Sequence, residues 1–224
     1  MDDLIKLSKK LQSVLGDELV AVFCYQVSSN SVTNLLIVLK SMNDKNLTLM
    51  KPAIQETSIN SSFGVITLTK EELKQSADVF PIKFRTIQKH GRVLCGENCL
   101  EFLEIKDSHL RLRCEQELRN LSLRLRQSYL KRNLSSAQKI EFLFNCSIKL
   151  KQDLFILAEI KEGSRDLSES EILEVLNTLN LSLDQISEVQ DAYKNSLLDE
   201  DKIENLFHKF REYVDKATCL IDQL

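Results

Sequence analysis

The chain has 224 residues, 43% of them apolar and 28% charged, with a formal net charge of −3. Five glycines and two prolines in that composition exclude a disordered or low-complexity chain and predict a folded protein with few loops, large enough for one large or two small domains. No apolar run approaches the roughly 20 residues that span a bilayer, and the opening stretch MDDLIKLSKK lacks the apolar core of a signal peptide, so the expected location is the cytoplasm with no membrane partner.

Leu4, Leu7, Leu11 and Leu15 form an apolar stripe at helical spacing that ends near Gly16. Residues 19–39 then read as strand, loop, strand, with apolar runs at 19–24 and 35–39 around a polar Ser/Asn stretch at 28–31. Leu47, Met50 and Ile54 predict a short helix with Pro52 near its end or at a kink. Residues 63–68 predict a strand, followed at once by Thr69-x-x-Glu72, a capping box that opens a short helix through Ala77. The alternation of Ile82, Phe84 and Ile87 predicts a further strand over 80–87.

From Asp107 the pattern turns helical. Leu110, Cys114, Leu118, Leu121, Leu125 and Tyr129 mark one face of a long helix. Capping boxes at Ser135/Gln138, Ser168/Glu171 and Ser182/Gln185 predict three more helices, the first with Ile140, Phe144, Ile148, Phe155 and Leu157 on its apolar face. A last helix carries Ile203, Leu206, Phe207, Phe210, Val214, Ala217 and Ile221. The expected fold class is α+β or α/β: an N-terminal mixed sheet with flanking helices over 1–106, then a C-terminal all-α helical bundle over 107–224.

Six cysteines, Cys24, Cys95, Cys99, Cys114, Cys146 and Cys219, are scattered through apolar segments and read as small buried hydrophobes in a reducing compartment. Cys95 and Cys99 lack a second pair at zinc spacing, so no metal is expected there.

The run DVFPIKFRTIQKHGRVLCGENCLEFLEIKDSHLRLRCEQELRNLSLRLRQSYL, from Asp78 to Leu130, resembles bacterial nucleotidyltransferase-like proteins. The resemblance is carried by FPIKF, by the hairpin-like segment HGRVLCGEN and by the helix pattern that follows, and it implies a minimal nucleotidyltransferase-like domain before a helical one. Such a site holds Mg²⁺ with two carboxylates at i, i+2 on one strand, a third carboxylate on a neighbouring strand, and a Gly-Ser pair just before them. In this sequence the Gly-Ser position falls on Tyr25 and Gln26, the paired carboxylates on Val32 and Asn34, and the third on Lys83 or Thr86. None is acidic, and no Asp or Glu occurs between Glu18 and Asp44. The expectation is a catalytically degenerate relative with no catalytic, cofactor or metal residues, acting as a binding or regulatory module. The alternative enzyme needs displaced carboxylates, with Asp44 and Glu56 as distant candidates.

Helical domains that accompany such folds include the HEPN class, in which some members cut RNA with Arg-x4-6-His on a helix. The match here is Arg85 to His90, expected on a strand and its exit and read as chance; His109 and His208 stand alone. Residues 107–161 carry eleven Lys/Arg against six Asp/Glu, and residues 162–224 carry six against fifteen. One reading is a nucleic-acid surface built from Arg111, Arg113, Arg119, Arg124, Arg126, Lys131 and Arg132, with Arg119, Arg124 and Arg126 foremost. The other lays the basic helix against the acidic C-terminal part, within one chain or across a dimer, which also makes a protein partner or self-association an expectation.

Overall fold

The computed structural model describes residues 2–26, 33–60, 63–131, 134–163, 166–195 and 199–224. The polar stretch at 28–31, Val32 and Arg132 lie outside the described residues. The chain divides into two compact units, Met1–Lys106 and Asp107–Leu224.

In the first unit, α1 (Asp2–Leu15) ends at Gly16, whose φ of +53° suits a residue without Cβ, and a single 3₁₀ turn leads into β1 (Leu19–Tyr25). There follow β2 (Asn34–Leu39), α2 (Asp44–Asn60), β3 (Gly64–Thr69), α3 (Lys70–Gln75), α4 (Pro81–His90) and β4 (Arg92–Gly96). The sheet order is β3-β2-β1-β4, with β2 antiparallel to β1, β4 antiparallel to β1, and β3 parallel to β2.

Side chains of successive strand residues point to opposite faces, and both faces here are covered, so β1 and β2 are apolar without interruption after Asn34. Val22, Cys24, Leu35, Ile37 and Leu39 pack with Leu4, Leu7, Leu11 and Leu15 of α1 and Met50 and Ala53 of α2. Ala21, Phe23, Tyr25, Leu36 and Val38 pack with Leu73, Phe84 and Ile87 from α3 and α4.

Three expectations are corrected in this unit. The predicted strand over 80–87 is the helix α4, and the segment HGRVLCGEN contains a single strand, β4, paired with β1, rather than a hairpin. Pro81 at the first helical position supplies a preset φ where no N–H is needed, and Lys89 and His90 occupy the last turn, where cations favour the exposed carbonyls. Ile82 with Thr86 and Phe84 with Ile87 are i, i+4 and i, i+3 pairs; Thr86 Oγ1 donates to the Ile82 carbonyl at 2.9 Å. Finally, α2 is 17 residues long rather than short and carries Pro52 in its interior rather than near its end; the proline supplies no N–H to the Thr48 carbonyl. Burial of Met50 and Ala53 on either side of the proline holds that turn against α1 and the sheet.

Every regular element among the described residues of the second unit is a helix: α5 (Asp107–Leu130), α6 (Ser136–Lys161), α7 (Glu169–Thr178), α8 (Asp184–Asn195) and α9 (Glu200–Ile221). Helix α9 lies antiparallel to α5, since Arg119 meets Asp222 near one end and Tyr129 meets Phe207 near the other. Helix α6 is antiparallel to α5 as well, with Cys114 Sγ donating to the Asp153 carbonyl at 3.4 Å and Arg124 over the Phe142 ring. Phe144 stacks on Tyr193 of α8 with centroids 4.1 Å apart, and the Tyr213 hydroxyl of α9 donates to the carbonyls of Leu181 and Ser182.

The capping boxes at Thr69/Glu72, Ser135/Gln138 and Ser168/Glu171 are all formed. That at Ser182/Gln185 is not: α8 begins at Asp184, and Ser182 Oγ donates to the Asp184 carboxylate at 2.8 Å. Ser135→Ala removes the side-chain acceptor of the Gln138 N–H and is expected to cost about 1 kcal/mol, checked by urea unfolding.

Candidate functional site

The place to look for a site is the head of β2, where the resemblance puts metal ligands. Asn34 begins β2, opposite Tyr25 at the end of β1 and opposite Gly64 at the start of β3. The close approach is made by the missing side chain of Gly64, because a Cβ there would collide with Asn34 Oδ1. Gln26 Nε2 donates to Thr33 Oγ1 at 3.0 Å, tying together the two strand ends beside this point. Tyr25 is buried with Phe23 and Leu36, and burial pushes its phenol above the usual range.

The chemistry available there is that of neutral groups: an amide oxygen at Asn34, the Gln26 amide and the Thr33 hydroxyl. The strand beside β2 on the side away from β1 is β3, GVITLT, and it too carries no acid. A Mg²⁺ site requires anionic oxygens at close to octahedral positions, and these donors do not fit one. Among the described residues, no group of three or more His, Cys, Asp or Glu side chains is placed to hold a metal.

The other anticipated positions are dispersed. Lys83 and Thr86 lie on α4 rather than on a strand, with Lys83 Nζ over the Phe80 ring at 5.4 Å and Thr86 buried and bonded back along its helix. Asp44 opens α2 beyond the far end of β2 from Asn34, and Glu56 pairs with Lys10 of α1. Arg85 and His90 are both on α4, so that motif is helical after all, but it belongs to the sheet-bearing unit rather than to the bundle. Cys95 packs with the α1 and α2 cluster and Cys99 with the α3 and α4 cluster, on opposite sides of the sheet. His208 Nε2 lies 3.7 Å from Glu204 Oε1 and packs edge-on to Tyr129.

The polar cluster that sequence reasoning missed is at the opposite end of the sheet. Glu18 accepts from Ser41 Oγ at 2.7 Å and from the buried Asn46 Nδ2 at 3.3 Å, and the Ser41 bond above all holds its carboxyl below the usual range. Asn43 Oδ1 accepts from the Asn46 N–H at 2.9 Å. These groups join the start of β1 to the start of α2.

The basic face of α5 is largely engaged within the bundle. Arg119 Nη2 lies 2.8 Å from both carboxylate oxygens of Asp222, Arg126 lies 3.2 Å from Asp215, and Arg113 lies 2.5 Å from Glu117. Arg111 donates to the Ile221 carbonyl, and Arg124 sits 5.9 Å from the Phe142 ring centroid. The opposite charges of the two halves therefore meet inside one chain at Arg119 and Arg126. Among the described residues, no helix is long and apolar enough to cross a membrane. No protein-family model matches the chain, and no curated protein is significantly similar to it.

Proposed function

We propose that the first unit is a nucleotidyltransferase-like scaffold of the bacterial kind without its metal-binding carboxylates, working in the cytoplasm as a binding or regulatory module. A protein partner or a second copy of the chain is its expected target. The observation that carries this reading is the composition of the three adjacent strands β1, β2 and β3, LVAVFCY, NLLIVL and GVITLT, in which no Asp or Glu occurs. A divalent ion bridging triphosphate and protein needs such anions. The strand arrangement supports the ancestry. A neighbouring antiparallel pair is extended by a parallel third strand, leaving Asn34 and Gly64 side by side where strand-borne ligands would converge.

Displaced carboxylates draw less support, because Glu56 is paired with Lys10 and Asp44 lies beyond the other end of β2. Nucleic-acid binding through Arg119, Arg124 and Arg126 also draws less, because Asp222 and Asp215 already hold two of the three. The test is incubation of the full chain with nucleoside triphosphates and Mg²⁺ or Mn²⁺. Nucleotidyl transfer at the background rate, unchanged by Asn34→Ala, is the expected result. Steady turnover that Asn34→Ala abolishes would overturn the reading.

A further inference from the structure

Helix α6 buries an acid. Asp153 is 2% exposed and shares an apolar stripe with Cys146, Leu150 and Leu157. Its Oδ2 is fully enclosed and has no hydrogen-bond partner. The nearest charges come from α5, with Arg113 and Glu117, and from Lys149 one turn earlier on α6 itself. Cys114 of α5 donates to the Asp153 backbone carbonyl.

Two cations could in principle neutralise two carboxylates, but both are committed to one. Arg113 pairs with Oε1 of Glu117 and Lys149 with Oε2 of the same residue. On the other helices of the unit four acids are paired away from Asp153: Glu169 of α7 with Lys151, Glu188 of α8 with Lys209, and Asp215 and Asp222 of α9 with arginines of α5. Asp153 is thus a carboxyl group inside an apolar layer without a counter-ion of its own. An ionised carboxylate in that position loses its hydration, and its Oδ2 gains no bond in return.

We propose that Asp153 is a proton latch of the helical unit: it is held neutral between α5 and α6 at neutral pH, and opening of that contact releases its proton. Burial first, then the pull of Lys149 against the repulsion of Glu117, leaves the carboxyl pushed up to about 8. An unfolded aspartate titrates near 3.9. Between these two values the folded unit holds one more proton than the unfolded chain. The unfolding constant therefore rises by about tenfold per pH unit across that window and levels off above it. Acidification from pH 8 tightens the bundle, and alkalinisation loosens it.

The experiment compares urea unfolding of the full chain and its Asp153→Asn variant from pH 5 to pH 9. The wild-type unfolding constant should rise relative to that of Asp153→Asn by about tenfold per unit up to pH 8; parallel profiles would overturn the proposal. A second measurement stands even where Asp153→Asn does not fold. The side-chain carboxyl carbon of Asp153, followed by NMR in the native protein, should titrate near pH 8. In Glu117→Gln, where Arg113 and Lys149 are freed, that midpoint should fall by a unit or more. A midpoint near 4 in the wild type, or one that Glu117→Gln leaves in place, sinks the idea.

Discussion

Replacing Phe84 by alanine is expected to destabilise the sheet-bearing unit by about 3–5 kcal/mol, the range for emptying a large aromatic site in a core. Phe84 is 1% exposed and joins α4 to Phe23, Tyr25 and Leu36 on one face of the sheet. Its neighbour Lys83 points to solvent, and Lys83→Ala should stay within about 0.5 kcal/mol. Urea unfolding of the two variants checks both statements. Comparable losses at positions 83 and 84 would contradict the burial that α4 assigns to each.

Gly96→Ala is expected to cost about 2–5 kcal/mol, combining a left-handed backbone with overpacking. Gly96 sits at φ +86°, and a Cβ there would run into the Val20 carbonyl oxygen and lie 2.7 Å from Ala21 Cα. That carbonyl also accepts the Glu97 N–H at 3.1 Å, so there is little freedom to move it. Gly163 provides the control. It has φ +72° but open space where its Cβ would be, so Gly163→Ala should show only the conformational cost, about 1–2 kcal/mol. Thermal unfolding of the pair separates steric crowding from backbone strain; equal losses would remove the crowding argument.

Local signals were legible in the sequence. The leucine stripe of α1, the apolar runs of β1 and β2, and three Ser/Thr-x-x-Glu/Gln boxes depend on residues a few positions apart, and the structure forms them all. The error at α4 came from a short run in which Ile82 and Phe84 keep the strand period, whereas Ile87, three residues after Phe84, fits a helical turn and not a strand face. Pro81 before it and Gly91 after it were the deciding marks for a helix. On the expected face of α6, Ile140 and Leu157 are buried but Phe144, Ile148 and Phe155 are half-buried, while Leu143, Cys146, Leu150 and Leu154, which lie outside it, are buried. That helix is apolar on several sides, and period alone does not choose among them.

At the candidate site, the lack of acids around Asn34 could be read directly from the chain, since no Asp or Glu lies between Glu18 and Asp44. Which strand flanks β2 could not, because pairing of β3 with β2 spans all of α2 and leaves no local mark. Asp153 is legible in the sequence as an acid set between Leu150 and Leu157 on an otherwise apolar stripe.

The strand order has a bearing on how the chain comes off the ribosome. Of its two inner strands, β1 emerges well before its second neighbour β4, which ends only at Gly96. Until that segment has been synthesised, residues Ala21 to Cys24 lack the partner that completes their ladder, although α1 and β2 are already at hand. Nascent chains stalled before Arg92 should therefore carry an open apolar flank and be good clients for chaperones, whereas those extended past Gly96 should shed them.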